Sequence, residues 1–194
     1  MSTDARPGMA AVVLAAGGGS RFTDPKGRNK LLVDWRGQPL VTWAAQAALA
    51  SGCSQTWVVT GAADLAAVLP NGVEELVNPR WHEGQASSLQ VAVSEARRRG
   101  LDAVVVGLGD QPGVPSSAWR LVASTDGAMV VATYEGRRRN PVKLTSAVWE
   151  LLPATGDQGA RSVLRGHPEL VTEVGCAGNP DDIDTVEDLR ARPS

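Results

Sequence analysis

Apolar residues along the chain gather into short runs separated by stretches with helical spacing. Strands are predicted over residues 11–16, 56–61, 73–78, 103–109 and 128–134, with shorter ones over 142–144 and 170–174. Within them Val104-Val105-Val106 is continuous rather than alternating, as expected of a strand covered on both faces. Residues 38–50 are predicted as a helix, with Pro39 tolerated in its first turn and a stop near Ser51-Gly52. In residues 87–99, Leu89, Ala92, Val93 and Ala96 recur at i, i+3, i+4 and i+7, which leaves Arg97, Arg98 and Arg99 extending outward. Another helix is expected near Pro115. This strand–helix alternation predicts an α/β fold, a three-layer α/β/α Rossmann-like sandwich with a mostly parallel sheet. Such sheets bind ligands beyond the carboxyl ends of their strands. The glycines after residue 16, the Asn78-Pro79 turn and Asp110 all follow strands, so they should share one edge.

A length of 194 residues suits a single domain over residues 1–194, with residues 1–8 expected to be flexible. Hydrophobic residues at 43% and charged residues at 21% are ordinary for a soluble globular chain. The net charge of -2 gives no electrostatic case for nucleic acid or an anionic membrane as partner. No apolar run approaches the roughly 20 residues of a membrane span, and the polar start lacks a signal-peptide core. A cytoplasmic protein is expected. Cys53 and Cys176 lie far apart and in no C-x-x-C pair, so neither zinc nor a disulfide framework is suggested.

Candidate chemistry begins where the first strand empties into Gly17-Gly18-Gly19-Ser20-Arg21. Successive backbone N–H groups in a glycine turn make an anion-binding concavity, and an arginine fork suits phosphate oxygens. The stretch is neither a P-loop nor a dinucleotide fingerprint: no Gly-Lys-Ser/Thr follows, and Phe22 stands where the last glycine of G-x-G-x-x-G belongs. Taken alone, such a loop is an anion cradle or a plain connection. Asp110, beyond a buried strand and just before Gln111-Pro112, suits a hard cation or caps the following helix. Ser87 and Ser88 open a helix, where serines cap or bond a ligand.

Several segments together resemble the MobA/MocA-like nucleotidyltransferases over nearly the whole chain. They are Leu14-Ala15-Ala16-Gly17 with Arg21 and a following lysine, Asn78-Pro79-Arg80-Trp81-His82-Glu83-Gly84-Gln85-Ala86-Ser87-Ser88-Leu89, Gly109-Asp110-Gln111-Pro112, Asn140-Pro141, Gly156-Asp157-Gln158-Gly159-Ala160-Arg161 and Asp182-Ile183-Asp184-Thr185-Val186-Glu187-Asp188-Leu189. The resemblance implies the fold of nucleotide-diphospho-sugar transferases. It assigns Leu14, Ala15, Ala16, Gly17, Gly18, Gly84 and Ser88 to the nucleotide, with Ser88 rather than Ser87 inward, and Arg21 with a lysine to catalysis. Asp110 and Asp184 would hold Mg2+, and Asn140 and Asp157 would face the acceptor. Lys26 has the family's spacing from the arginine, but Lys30 has its context, because Leu31-Leu32-Val33 follows as a strand-like run; Lys30 is preferred. His82 receives no role, and Asp182 is read as a loop residue. Departures are Arg139 where the family has glycine and Val186 where it has proline. The run Arg137-Arg138-Arg139 is a solvated loop or an anion-holding one. Thr185 is expected to cap the last helix, with Asp188 at the capping-box position.

These motifs hold no nucleophile with a base beside it. Transfer to a phosphate acceptor needs none, because the attacking oxygen is already anionic at neutral pH. The resemblance implies a nucleoside triphosphate donor, CTP in view of Gln111, and molybdenum-bound molybdopterin as acceptor, with a recipient molybdoenzyme as a further partner. Two alternatives stand beside this. One is a transferase of the same fold acting on another phosphorylated metabolite. The other is a repurposed cofactor-binding relative serving as carrier, chaperone or oxidoreductase.

Overall fold

The apolar run near the N-terminus forms β1 (Met9–Leu14), the third strand in from one edge of the main sheet. A computed structural model of the protein describes residues 8–19, 22 and 29–190. Alternate residues of β1 face opposite sides. Ala10, Val12 and Leu14 belong to one apolar core, and Ala11, Val13 and Ala15 to the other. A strand buried on both faces has no polar side to show, which is why the run does not alternate.

A small hairpin of β2 (Asp34–Trp35) and β3 (Gln38–Pro39) leads into helix α1 (Leu40–Leu49). The chain continues through β4 (Gln55–Thr60), β5 (Glu74–Val77), α2 (Gln85–Arg98), β6 (Ala103–Leu108), α3 (Ser116–Ser124), β7 (Met129–Tyr134), β8 (Arg137–Thr145), α4 (Arg161–Gly166), β9 (Val171–Gly175) and α5 (Val186–Arg190). Among the described residues, seven strands form one sheet in the order β5-β4-β1-β6-β8-β7-β9. All pairs are parallel except those of β8, which runs antiparallel to both β6 and β7. Helices α1 and α3 cover one face, while α2 and α4 cover the other. This is the three-layer sandwich expected of the alternation. No helix among the described residues is long and apolar enough to cross a membrane.

Three local expectations fail. Leu31-Leu32-Val33 is not a strand: Lys30–Leu32 is one 3-10 turn, whose entry Asn29 fixes by accepting a hydrogen bond from Leu31 N at 3.0 Å. Gln38 and Pro39 lie outside α1, because the left-handed pair Arg36 (φ 54) and Gly37 (φ 89) folds them back onto Asp34 and Trp35. The arginine run is strand, not loop. Glu135 (φ 49) and Gly136 (φ 75) make a tight turn that lays Arg137, Arg138 and Arg139 against the end of β7. Two consecutive left-handed residues are what a two-residue hairpin loop requires.

Helix α2 is anchored at its far end by an ion network. Arg99 bonds Glu95, Glu74 and Gln55 and lies over the Trp57 ring at 5.2 Å. The Arg98 hydrogen bond, assisted by Arg99 against the effect of burial, holds the Glu95 carboxyl down at about 2 instead of 4.5. A depressed folded-state pKa adds stability that is complete above about 4.5 and is lost as pH falls towards about 2. Glu95→Gln should therefore flatten the acid limb of a melting-temperature-against-pH curve in that window. Curves that stay parallel through it would contradict the assignment.

Candidate active site

The loops after β1, β5 and β6 meet at the carboxyl edge of the sheet, as doubly wound sheets require of a ligand site. Ala15 N bonds Val59 O at 2.9 Å, Ala62 N bonds Ala16 O at 3.0 Å and Gly109 N bonds Leu14 O at 3.0 Å, so the start of the glycine loop is tied to its neighbours. Gly61 admits Trp81 so closely that a Cβ there would lie 2.6 Å from Trp81 Cβ. The Trp81 ring thereby walls the loop near Gly18. Together they bound an open cavity of about 450 Å³, lined by residues 14–19, Lys30, Trp81, Gly84, Ser88, Asp110, Asp157 and Asp184 among others.

Two carboxylates converge on one ammonium. Lys30 Nζ donates to Asp110 Oδ2 at 2.7 Å and to Asp184 Oδ1 at 2.8 Å, bringing together residues 80 and 154 positions apart. The other oxygen of Asp110, Oδ1, is buried without a hydrogen-bond partner among the described residues. Burial alone would lower the Lys30 pKa, but the Asp110 charge and the hydrogen bonds and charge of both carboxylates outweigh it, so the ammonium is held above its ordinary value.

Asp184 is set in place by a polar frame behind the carboxylates. Ile183 N bonds Asp110 O at 2.9 Å, joining the two metal-candidate segments directly. Gln111, almost fully buried, donates to Pro180 O at 2.9 Å and Asp182 Oδ1 at 2.8 Å, and accepts from Asn140 at 3.0 Å. Asp182 is thus a fixed member of the frame as well as a loop residue. Burial first, and then the nearby Asp110 charge, push its carboxyl above the usual range. At the start of α5, Asp188 Oδ2 accepts from Thr185 N at 2.8 Å and Asp184 N at 3.0 Å, while Asp188 N donates to Thr185 Oγ1 at 3.1 Å. This is a capping box closed by aspartate.

On the opposite wall, Gly84 (φ 97) is the N-cap residue just before α2, and no side chain caps the helix. Ser87 turns back to Arg80 O and Gly84 O, whereas Ser88 lines the cavity; Asn78 Nδ2 donates to both hydroxyls. Gly156 N bonds Glu83 O at 2.8 Å and Ala86 N bonds Gly156 O at 2.9 Å, which places Asp157 beside Gly84.

A family model described as the MobA-like NTP transferase domain matches residues 11–171. The chain belongs to that family. It is 32% identical to nicotine blue oxidoreductase of Paenarthrobacter nicotinovorans, over 94% of this chain and 95% of that protein. It is 28% identical to the purine catabolism protein PucB of Bacillus subtilis (strain 168), over 94% of each. Among solved structures it resembles Rv0371c of Mycobacterium tuberculosis H37Rv, with a TM-score of 0.81 and 26% identity over 95% of this chain and 97% of that one. A second structure of Rv0371c is a complex with manganese, at a TM-score of 0.76 and 25% identity over the same shares of the two chains. The family is one of nucleotidyltransferases that take nucleoside triphosphates.

Of the residues assigned through the family's motifs, Leu14, Ala15, Ala16, Gly17, Gly18, Lys30, Gly84, Ser88, Asp110, Asp157 and Asp184 all line the one cavity. Asn140 does not; it stands behind Asp110 and bonds Gln111. Arg21 and Lys26 lie outside the described residues, as do residues 1–7 of the stretch expected to be flexible. Trp81 and His82 also line the cavity, edge to face with centroids 6.2 Å apart; no role is expected of His82 from the sequence, and Trp81 is expected there only as part of the 78–89 segment. The signal for Trp81 was Gly61, whose missing side chain makes the room.

Proposed function

We propose that the protein transfers CMP from CTP to the terminal phosphate of molybdenum-bound molybdopterin and releases pyrophosphate. The observation that carries this reading is the convergence of Asp110 and Asp184 on a single positive charge beside the glycine loop. Two hard oxygen donors, with Asp110 Oδ1 buried and without a partner among the described residues, fit Mg2+ or Mn2+, since Mg2+ takes one or two carboxylates and completes its shell with phosphates and water. Asp110 and Asp184 would hold the ion, which when bound supplies positive charge for the phosphates.

The chain's own part is binding and orientation. Backbone N–H groups of the glycine loop face the triphosphate, and the family's motif assigns Arg21 to the same task. Ser88 and Gly84 border the nucleoside side, and Asp157 borders the acceptor side. Asn140 contributes through Gln111. An anionic oxygen of the acceptor phosphate attacks the α-phosphorus. A new P–O bond forms as the bond from that phosphorus to the β-phosphate bridging oxygen breaks, and the electron pair leaves with pyrophosphate. No proton has to be removed from the attacking atom, so positioning and charge carry the rate.

The test is pyrophosphate release in the presence of Mg2+ with CTP, GTP, ATP and UTP, each with and without molybdenum cofactor. Release confined to CTP with cofactor is the expected result. Release with cofactor but a different nucleotide would correct the donor, and release only with another phosphorylated acceptor would move the reaction to that substrate. A second reading has one observation behind it, the name of the 32% identical relative. An oxidoreductase would bind a dinucleotide and change its absorbance on turnover without releasing pyrophosphate from any triphosphate.

A further inference from the structure

The Lys30 ammonium stands where a cation shared by Asp110 and Asp184 would stand, 2.7 Å from one carboxylate and 2.8 Å from the other. We propose that Lys30 is a tethered occupant of the metal position, which keeps free divalent cation out and gives the position up when a triphosphate enters. The nucleotide half of this rests on the function proposed above; the exclusion of free metal does not.

Geometry supports both halves. Lys30 Nζ already takes one oxygen of each carboxylate, so a divalent ion arriving alone meets a like charge at contact distance. The stem of Lys30 runs along the glycine loop, where a Cβ on Gly19 would lie 3.2 Å from Lys30 Cγ. The residue therefore stands between the two places that want positive charge, the carboxylates and the phosphate cradle. A lysine on a flexible four-carbon stem, with three donors and no planar fork to satisfy, exchanges such partners readily. Its backbone stays put meanwhile, because the 3-10 turn is pinned by Asn29. Divalent metal and triphosphate should then bind cooperatively, each favouring the state in which Lys30 has left the carboxylates.

A purely structural salt bridge makes a different prediction: removing the lysine would loosen the loop and weaken every ligand. The experiment is Mn2+ titration followed by the loss of the free-ion electron paramagnetic resonance signal. It uses the full chain, as wild type, Lys30→Met and Lys30→Arg, without nucleotide and with a non-hydrolysable CTP analogue. Circular dichroism reports whether each variant is folded. If the ammonium is away from the carboxylates about one-tenth of the time, apparent affinity is reduced about ten-fold. Lys30→Met should therefore bind Mn2+ at least about ten-fold more tightly than wild type without nucleotide, while Lys30→Arg, which keeps the charge, stays weak. The analogue chelates Mn2+ itself, so it is titrated without protein as well; beyond that background it should tighten Mn2+ binding to wild type and change the methionine variant far less. Equal or weaker Mn2+ binding by folded Lys30→Met would overturn the proposal. Should that variant not fold, Lys30→Gln takes its place with the same expected tightening. Tightening by Lys30→Met with no effect of the CTP analogue on wild type would support exclusion of free metal and overturn the release of Lys30 by CTP, counting against CTP as donor.

Discussion

Asp110→Asn is expected to lower kcat by at least about 10²–10³-fold, the scale seen when one group aimed at transition-state charge is removed. The side chain keeps its volume and stays hydrogen-bonding, so the change isolates one negative charge. Lys30 retains Asp184 at 2.8 Å, and the neutral amide oxygen takes the place of Asp110 Oδ2. Breaking a fully buried ion pair costs about 3–5 kcal/mol, but here one partner remains and the side chains are 13% and 19% exposed, so about 1–2 kcal/mol is expected. For a chain of this size that is a fall of about 2–8 °C in Tm. The informative result is the separation of the two numbers, catalysis nearly abolished and the fold little changed. Turnover within about three-fold of wild type would remove Asp110 from the metal site, and a collapse of Tm would make its role structural.

The architecture was legible because it rests on patterns that one strand or helix carries alone. A short run of β-branched valines favours a strand with both faces covered, and the 89–92–93–96 stripe has the spacing of a helix face, so β6 and α2 lie close to their expected bounds. The cavity wall was legible for another reason: motif residues at strand ends are brought to one edge by topology, whatever the loops do. What escaped depends on contacts between distant residues. Arg137–Arg139 are exposed as expected but lie in a strand rather than a loop, and nothing local shows that Glu173, on β9, waits for Arg138 at 2.8 Å. Leu31-Leu32-Val33 had strand composition, but Asn29 and the fold-back of Lys30 onto Asp110 and Asp184 set a 3-10 turn instead. Gln111 was read for its bearing on substrate class, whereas its contacts show it joining Asn140 to Asp182 and Pro180. An amide with one acceptor and two donors can bridge three segments.

Gly84→Ala is expected to damage the fold and the site together. At φ 97 the residue is in left-handed space, which costs a side-chain-bearing residue on the order of 1–3 kcal/mol. The methyl would also lie 2.6 Å from both the carbonyl carbon and oxygen of Gly156 and 2.7 Å from Asp157 Oδ1. Two of those neighbours are backbone, so the conflict cannot be relieved by a rotamer change. Relief requires the 156–157 loop to move off the start of α2, at the expense of the bonds from Gly156 N to Glu83 O and from Ala86 N to Gly156 O. With about 1 kcal/mol for each lost bond, the sum is about 3–5 kcal/mol, or a Tm lower by about 6–20 °C. Because Asp157 and Ser88 line the same cavity, their separation should also lower kcat/KM, by about 10² for a displacement near 1 Å. Gly166→Ala is the matched control: it is the last residue of α4, meets nothing within 4 Å and should change stability by no more than about 0.5 kcal/mol with kcat/KM unchanged. A Gly84→Ala protein that melts within about 2 °C of wild type with the same KM would show that the loop is free of α2, and the acceptor wall would then have to be sought elsewhere.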